Sequence, residues 1–132
     1  MRLKGKVAIV TGSAHGMGEA EARLFAAEGA RVIVADILEH EAEMVAADIR
    51  AGGQEAMAAK IDVTTESEWV GLIAKAVATY GKLDILVNNA GISGSSVGDP
   101  DGRWRLYRTI TAPLDRSADT VRHLLLLTKG RI

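Results

Sequence analysis

The sequence predicts an α/β fold built on a doubly wound parallel sheet, truncated to about four strands plus the start of a fifth. Short, mainly apolar runs at residues 7–10, 32–35 and 83–87 are typical of strands buried on both faces of a sheet. Longer segments with apolar side chains at helical spacing separate these runs. Strands that alternate with helices in this way are joined by right-handed crossovers, which makes the sheet parallel.

The first two helices are each marked by apolar spacing and by a glycine stop. Gly29 follows the first helix in a C-cap position, and Gly52 with Gly53 ends the second. The apolar residues of the first helix are Met17, Ala20, Leu24 and Ala27, and those of the second are Ala42, Val45, Ala46 and Ile49.

Residues 57–63 are a plausible third strand, and a third helix follows. Thr65 and Glu68 have the spacing of a capping box at its start, and Gly81 ends it. Its buried stripe is predicted at Trp69, Leu72, Ile73 and Ala76. The apolar run at residues 83–87 is the fourth strand.

The amino-acid composition of the sequence changes after the fourth strand. Residues 92–102 are rich in Gly, Ser, Asp and Pro and predict a loop. Residues 99–132 carry more basic than acidic side chains, which suggests either a patch for polyanions or, in our preferred interpretation, a solvated helix face. We expect an atypical helical tail over 99–132 that ends at the opening of a fifth strand, residues 130–132.

The composition and charge of the chain exclude several classes of protein function. The chain has 132 residues, 48% of them hydrophobic, which is enough for one globular domain with a core. A net charge of -1 argues against a nucleic-acid or anionic-membrane binder. The lack of cysteine excludes disulfides, thiolate zinc sites and thiol nucleophiles, and we predict no metal site. No apolar stretch suits a signal peptide or a membrane span, so we expect a cytoplasmic protein.

The most informative segment, Thr-Gly-Ser-Ala-His-Gly-Met-Gly at residues 11–18, lies between the first strand and the first helix. Parallel sheets bind nucleotides at the carboxyl ends of their strands, where a helix N-terminus offers free N–H groups and a partial positive charge. Gly12 permits a sharp exit from the strand, while Gly16 and Gly18 let a pyrophosphate approach the backbone closely. Taken alone, the segment could be a plain glycine-rich turn.

Asp36 ends the second strand, where a carboxylate can accept hydrogen bonds from an adenosine ribose. The same charge would repel a 2′-phosphate, and Ile37 supplies no compensating cation, so NAD is favoured over NADP. Asp36 could also be a helix N-cap, and the two roles can coexist.

The later strands end in polar residues at the same edge of the predicted sheet. Asp62 and Val63 could border the adenine, although a simple strand-to-helix turn is the alternative. Asn88, Asn89, Ala90 and Gly91 follow the fourth strand, where paired amides can tie strand ends together and small residues leave room for a cofactor.

Together these residues resemble the short-chain dehydrogenase/reductase family, over about residues 3–98. The resemblance rests on Thr11-Gly-x-x-x-Gly16-x-Gly18, Asp36, Asp62-Val63 and Asn88-Asn89-Ala90-Gly91. It implies a Rossmann-like fold, NAD(P) as cofactor, and oxidation of secondary alcohols or reduction of ketones. By position it also implies which residues contact each part of the cofactor. Ser13, His15, Gly16 and Met17 would contact the pyrophosphate and ribose, and Asp36 would contact the adenosine ribose. Asp62 and Val63 would contact the adenine, and Asn89, Ala90 and Gly91 would lie at the centre of the cofactor.

The sequence departs from the family in its catalytic residues. Family enzymes use a Ser and a Tyr-x-x-x-Lys pair with a helix Asn, and a nearby ammonium lowers the pKa of the phenol. The tyrosines here are Tyr80 and Tyr107, and neither is followed by lysine at the required spacing. No asparagine occurs after Asn89. We therefore predict no catalytic residue in this chain and expect the catalytic half to be missing.

Two functional hypotheses follow. Residues 1–98 would be the dinucleotide-binding βαβ units of a dehydrogenase that is inactive as this chain stands. Alternatively, the chain would be a non-catalytic dinucleotide-binding or interaction module that pairs with another chain. A fourth strand without a neighbour would be an exposed edge, so we expect homo-oligomers formed through that edge or the tail.

Overall fold

A five-stranded sheet forms the centre of the molecule in the computed structural model, which describes residues 1–87 and the strand at residues 109–114. The strands lie side by side in the order β3-β2-β1-β4-β5. In chain order the elements are β1 (Val7–Thr11), α1 (Gly16–Ala27), β2 (Arg31–Asp36), α2 (Glu39–Ala51), β3 (Ala56–Lys60), α3 (Glu66–Tyr80), β4 (Leu83–Val87) and β5 (Thr109–Leu114).

The first four strands are parallel, as the sequence predicts. The chain moves outward from β1 through β2 to β3, and then crosses to the other side of β1 to form β4. The strand order therefore reverses between β1 and β4, which is where open α/β sheets place their ligands. The predicted doubly wound, Rossmann-like fold is confirmed for these strands.

The helices cover both faces of the sheet. On one face α1 packs against β1 and β2, α2 packs against β2 and β3, and the predicted stripe of α2 is buried there as expected. On the other face α3 buries its predicted stripe, with Trp69 fully enclosed. Gly81 ends α3 at a φ of 86°, a left-handed conformation that glycine adopts without steric cost.

The predicted apolar face of α1 is wrong. Met17 is 74% exposed and Leu24 is 59% exposed, whereas Gly18, Ala22 and Ala26 are buried against the sheet. The reason is that this helix lies close to the strands, and small residues permit that approach where larger side chains would hold the helix away.

Two expectations for the later part of the chain are also wrong. Residues 109–114 form a strand rather than a helix, and this strand pairs antiparallel with β4, so β4 does not have a free edge. β-Branched Thr109, Ile110 and Thr111 favour an extended backbone. Pro113 fits an edge position next to the register shift between β4 and β5, because a proline has no N–H for a central ladder.

The remaining residues of the predicted tail, including the predicted strand opening at 130–132, lie outside the described residues, so the predicted boundary near residue 98 stays a prediction. Within residues 1–87 and 109–114, no helix is long and apolar enough to cross a membrane.

Candidate functional site

The carboxyl ends of β1, β2 and β4 meet at one edge of the sheet. Thr11, the last residue of β1, lies opposite Ala35 of β2, and Val10 lies opposite Val87 of β4. The Thr11 hydroxyl is fully buried and donates a hydrogen bond of 3.3 Å to the Val87 carbonyl. This edge is therefore tied together across the point where the strand order reverses.

The glycine-rich segment joins β1 to α1 through two left-handed residues. Gly12 has a φ of 66° and Gly16 a φ of 61°, and a Cβ built on Gly16 would meet no atom within 4 Å. His15 is the N-cap of α1, but its side chain makes no capping hydrogen bond. The first N–H groups of a helix have no partner within the helix, so α1 presents donors and the positive end of its dipole beside open space. These features fit the pyrophosphate of a dinucleotide.

Ser13 lies inside this segment rather than on its surface. It is fully buried, and its hydroxyl donates a hydrogen bond of 2.6 Å to the Val10 carbonyl. Its backbone N–H donates to the Ala35 carbonyl at 3.3 Å. The hydroxyl is thus used to shape the turn, and a contact between Ser13 and a pyrophosphate stays a prediction. His15, Gly16 and Met17 are exposed next to it.

Asp36 stands at the end of β2, beside the glycine-rich segment. One carboxylate oxygen accepts a hydrogen bond of 3.0 Å from the N–H of Ala14, and the other accepts one of 3.0 Å from the N–H of Leu38. A carboxylate has further lone pairs on both oxygens, so these bonds leave room for two hydroxyl donors. Ile37 is 55% exposed and contributes no charge. A ribose with free hydroxyls fits this arrangement.

Asp62 forms a turn between β3 and α3. Its carboxylate accepts hydrogen bonds from the N–H of Thr64 at 2.9 Å and from the Thr64 hydroxyl at 2.6 Å. These bonds lower the pKa of Asp62. The Val63 carbonyl accepts a hydrogen bond of 2.9 Å from the indole of Trp69. The turn is therefore held from within the chain, and a contact of Asp62 or Val63 with adenine stays a prediction.

The structure corrects two local details at this turn. The third strand ends at Lys60 rather than at residue 63. The capping box is not formed, because the Glu68 carboxylate accepts a hydrogen bond of 3.0 Å from the N–H of Asp62 instead of from Thr65. Glu68 thus fixes the turn and not the helix cap.

The third predicted cluster lies outside the described residues. It comprises Asn88, Asn89, Ala90 and Gly91, which directly follow β4. Their predicted place near the centre of a cofactor stays a prediction.

Tyr80 is the last residue of α3. The guanidinium of Arg31 lies 5.9 Å from the centre of the Tyr80 ring. Burial, helped by Glu55, raises the pKa of this phenol. A tyrosine that acts as a general acid or base at neutral pH needs the opposite shift of its pKa. Within the part of the chain that the structure describes, no three metal-ligating side chains come together.

A cavity of about 590 Å³ lies at the opposite, amino-terminal edge of the sheet, lined by Lys4, Gly29, Arg31, Gly53 and Glu55 among others. It has no connection with the predicted cofactor residues. Arg31 is held there by Glu55 at 3.3 Å. We therefore place the candidate site at the carboxyl ends of the strands, where the N-terminus of α1 lies beside open space, and not at this cavity.

Sequence reasoning missed the bonds that organise the site. The Thr11–Val87 bond and the bond from the Ala14 N–H to Asp36 join residues that are far apart in sequence. Both bonds depend on the register between neighbouring strands, which the sequence pattern does not give.

Comparison with known proteins gives consistent results. Residues 6–112 match the family model for short chain dehydrogenases. The chain is 48% identical over 91 residues to 2,5-dichloro-2,5-cyclohexadiene-1,4-diol dehydrogenase from Sphingobium indicum, which covers 69% of this chain and 36% of that protein. It is 42% identical over 121 residues to trans-4-hydroxycyclohexanecarboxylate dehydrogenase from Sinomonas cyclohexanicum, covering 86% of this chain and 46% of the relative.

Solved structures show the same relationship. A short chain dehydrogenase from Mycobacterium avium superposes with a TM-score of 0.67 at 46% identity, covering 70% of this chain and 36% of that one. A hydroxysteroid dehydrogenase from Escherichia coli superposes with a TM-score of 0.63 at 42% identity, covering 64% of this chain and 36% of that one. The chain thus spans less than half the length of these relatives. By the family match and these identities, it belongs to the short chain dehydrogenase family of oxidoreductases.

Proposed function

We propose that this chain is the NAD-binding portion of a short chain dehydrogenase, and that it does not catalyse hydride transfer by itself. The main support is one observation. The N-terminus of α1, which begins at Gly16 and has no side-chain cap, lies near the carboxylate of Asp36. The N–H groups and dipole of α1 would bind the pyrophosphate, and the carboxylate would bind the ribose hydroxyls.

The preference for NAD over NADP is part of the proposal. A 2′-phosphate would bring negative charge close to the Asp36 carboxylate, whose two oxygens already accept N–H donors from the backbone. Ile37 offers no cation that would offset the repulsion.

The remaining contacts follow from the family resemblance. His15 and Met17 would border the phosphates, Asp62 and Val63 the adenine, and Asn89, Ala90 and Gly91 the centre of the cofactor. When bound, the nicotinamide ring would accept hydride from the carbinol carbon of a secondary alcohol or, in its reduced form, donate hydride to the carbonyl carbon of a ketone. The residues of this chain would bind and orient the cofactor, and we assign none of them an acid–base role.

The substrate class of the longer protein is proposed from its relatives. Their names specify a cyclohexadiene diol, a hydroxycyclohexanecarboxylate, borneol and hydroxysteroids. Apart from the 20-beta hydroxyl of the steroids, these are secondary alcohols on carbon rings, so we propose a ring alcohol or the corresponding ketone as the substrate.

Isothermal titration of the 132-residue chain with NAD and with NADP tests the proposal. We expect NAD to bind at least about tenfold more tightly, which corresponds to about 1.4 kcal/mol. A matching thermal titration should show stabilisation by about 2.7 kcal/mol at 100 times the dissociation constant. Equal binding of both cofactors would contradict the role of Asp36, and no binding of either would contradict the whole proposal.

An activity assay tests the second half of the proposal. The chain is incubated with NAD and cyclohexanol or borneol, and NADH is followed by absorbance. We expect NAD to bind without turnover. Sustained turnover by this chain would contradict the proposed division between cofactor binding and catalysis.

We also propose self-association, now through the outer edge of β5 or the tail, since β5 covers the edge of β4. Size-exclusion chromatography over a range of concentrations should show a dimer or larger species. A stable monomer at every concentration would contradict this.

A further inference from the structure

The turn after β1 is fastened to the end of β2 by three hydrogen bonds. Two of them run from Ser13 to the Ala35 carbonyl, one from its N–H at 3.3 Å and one from its hydroxyl at 3.4 Å. The third runs from the N–H of Ala14 to the Asp36 carboxylate at 3.0 Å. Ala14 is only 2% exposed, so its N–H has no ready access to water as a substitute acceptor.

Asp36 is itself held from three sides. Its carboxylate accepts from Ala14 on the glycine-rich segment and from Leu38 on the approach to α2. Its backbone carbonyl accepts from the N–H of Ile61 at 3.1 Å. Because each oxygen of the carboxylate is bound to a different backbone donor, the orientation of the group is fixed before any ligand arrives.

We propose that Asp36 is a positioning residue for the phosphate-binding segment, in addition to its proposed contact with the ribose. The inference rests on the proposed function. The Ala14 N–H lies two residues before Gly16, where α1 begins, so the bond to Asp36 fixes the approach to the donors of the first turn. Binding is strengthened when such donors are already in place.

This double role has a consequence for cofactor choice. A substitution that removes the charge of Asp36 would admit a 2′-phosphate, but it would also release the Ala14 N–H and loosen the segment that holds the pyrophosphate. Asp36→Ala should therefore lose affinity for NAD without binding NADP as tightly as the unmodified chain binds NAD.

The decisive experiment compares two ligands that differ only in the ribose hydroxyls. ADP and 2′,3′-dideoxy-ADP are titrated by NMR into the unmodified chain, Asp36→Ala and Asp36→Asn. If Asp36 acted only through the hydroxyls, its removal would weaken ADP alone. We expect Asp36→Ala to weaken the dideoxy ligand as well, by at least about fivefold. Unchanged affinity for the dideoxy ligand would overturn the proposal.

Asp36→Asn distinguishes the roles of the two carboxylate oxygens, because an amide keeps one acceptor oxygen and has a donor NH2 in place of the other. It should give an intermediate affinity for the dideoxy ligand. Asp48→Ala is the control, because it removes the same charge from an exposed residue of α2 that pairs with Arg23 at 3.2 Å. It should leave both affinities unchanged, and a loss equal to that of Asp36→Ala would overturn the proposal.

A second readout needs no ligand. Hydrogen exchange of the Ala14 amide should accelerate by at least about tenfold in Asp36→Ala, which corresponds to about 1.4 kcal/mol, and should not change in Asp48→Ala. Unchanged exchange in Asp36→Ala would overturn the positioning role. Failure of the unmodified chain to bind ADP would instead count against the proposed function, and the exchange measurement would still decide whether Asp36 holds the segment.

Discussion

The two faces of the sheet are built from different side chains. Alanine is the commonest buried residue where α1 and α2 pack, whereas the face under α3 is filled by Trp69 together with isoleucine and leucine. Small residues let α1 lie close to the strands, which places its N-terminus at the carboxyl ends of β1 and β2. Large residues bury more apolar area and contribute more stability per side chain. The comparison indicates that one face positions the site while the other stabilises the fold.

Removing the largest side chain of the α3 face should have the largest effect. Trp69 is fully buried and donates to the Val63 carbonyl, so Trp69→Ala leaves a cavity and an unpaired acceptor. We expect a loss of about 4 kcal/mol in the free energy of unfolding, measured with urea. Trp69→Phe should lose less, because most of the packing volume remains. A loss below about 1 kcal/mol for Trp69→Ala would contradict the role of this face.

Enlarging a residue on the alanine face should affect both stability and binding. Ala22 is fully buried between α1 and the sheet, so Ala22→Leu should force α1 outward and cost about 2 kcal/mol. The shift should also weaken NAD binding measured by titration, because the first turn of α1 moves away from Asp36. Ala27→Leu, at an exposed position of the same helix, should change neither quantity. If folded Ala22→Leu binds NAD with unaltered affinity, the small buried residues of α1 do not position the candidate site.

A hydrogen bond between β1 and β4 stabilises the sheet independently of the helices packed on its two faces. The Asp84 carboxylate accepts from the buried N–H of Val7 at 2.9 Å and pairs with Lys82 at 3.1 Å. Burial alone would raise the pKa of Asp84, but the Val7 and Lys82 contacts outweigh it and lower the pKa below its ordinary value. The stabilisation is therefore present above the ordinary pKa of about 3.9 and is lost as the pH falls below it.

Asp84→Ala tests this bond through its pH dependence. We expect a loss of about 2 kcal/mol at pH near 6, because the Val7 N–H is left unpaired. The difference from the unmodified chain should shrink at pH near 3, where the carboxylate is increasingly protonated. NAD affinity at neutral pH should be unchanged in the folded variant. A difference in stability that is the same at both pH values would show that the Asp84 carboxylate does not stabilise the fold through its charge.

Substitutions at two glycines with positive φ should have the smallest and most selective effects. Gly16 and Gly81 both have positive φ, and a Cβ on either would meet no atom within 4 Å. Each change to alanine should cost about 1 kcal/mol, because an L side chain disfavours this conformation. Only Gly16→Ala should also weaken NAD binding, since Gly16 begins α1, the helix that we propose binds the phosphates. Equal effects of the two substitutions on NAD would contradict the location of the site.

The sequence predicted those parts of the fold that depend on local patterns. Apolar spacing predicted the buried stripes of α2 and α3, and Gly52 and Gly81 marked the ends of these helices. The buried face of α1 could not be predicted in this way, because alanine and glycine give a weaker apolar signal than Met17 and Leu24. The antiparallel direction of β5 depends on pairing with β4, which local spacing does not encode.

The candidate site shows the same limit. Glycine spacing and the placement of Asp36 after a strand indicated the site, because both reflect requirements of the local backbone. The inward direction of Ser13 and the bond from Ala14 to Asp36 depend on the register between β1 and β2, which is set by the packing of the whole sheet.

The most direct test of the central claim is an NMR titration of the ¹⁵N-labelled chain with NAD, read amide by amide. We expect saturable shifts at Gly16, Met17 and Ile37, at the carboxyl ends of the strands. Gly29, Arg31 and Gly53, which line the cavity at the amino-terminal edge, should not respond. Shifts confined to that cavity, with the glycine-rich segment unchanged, would contradict the placement of the cofactor.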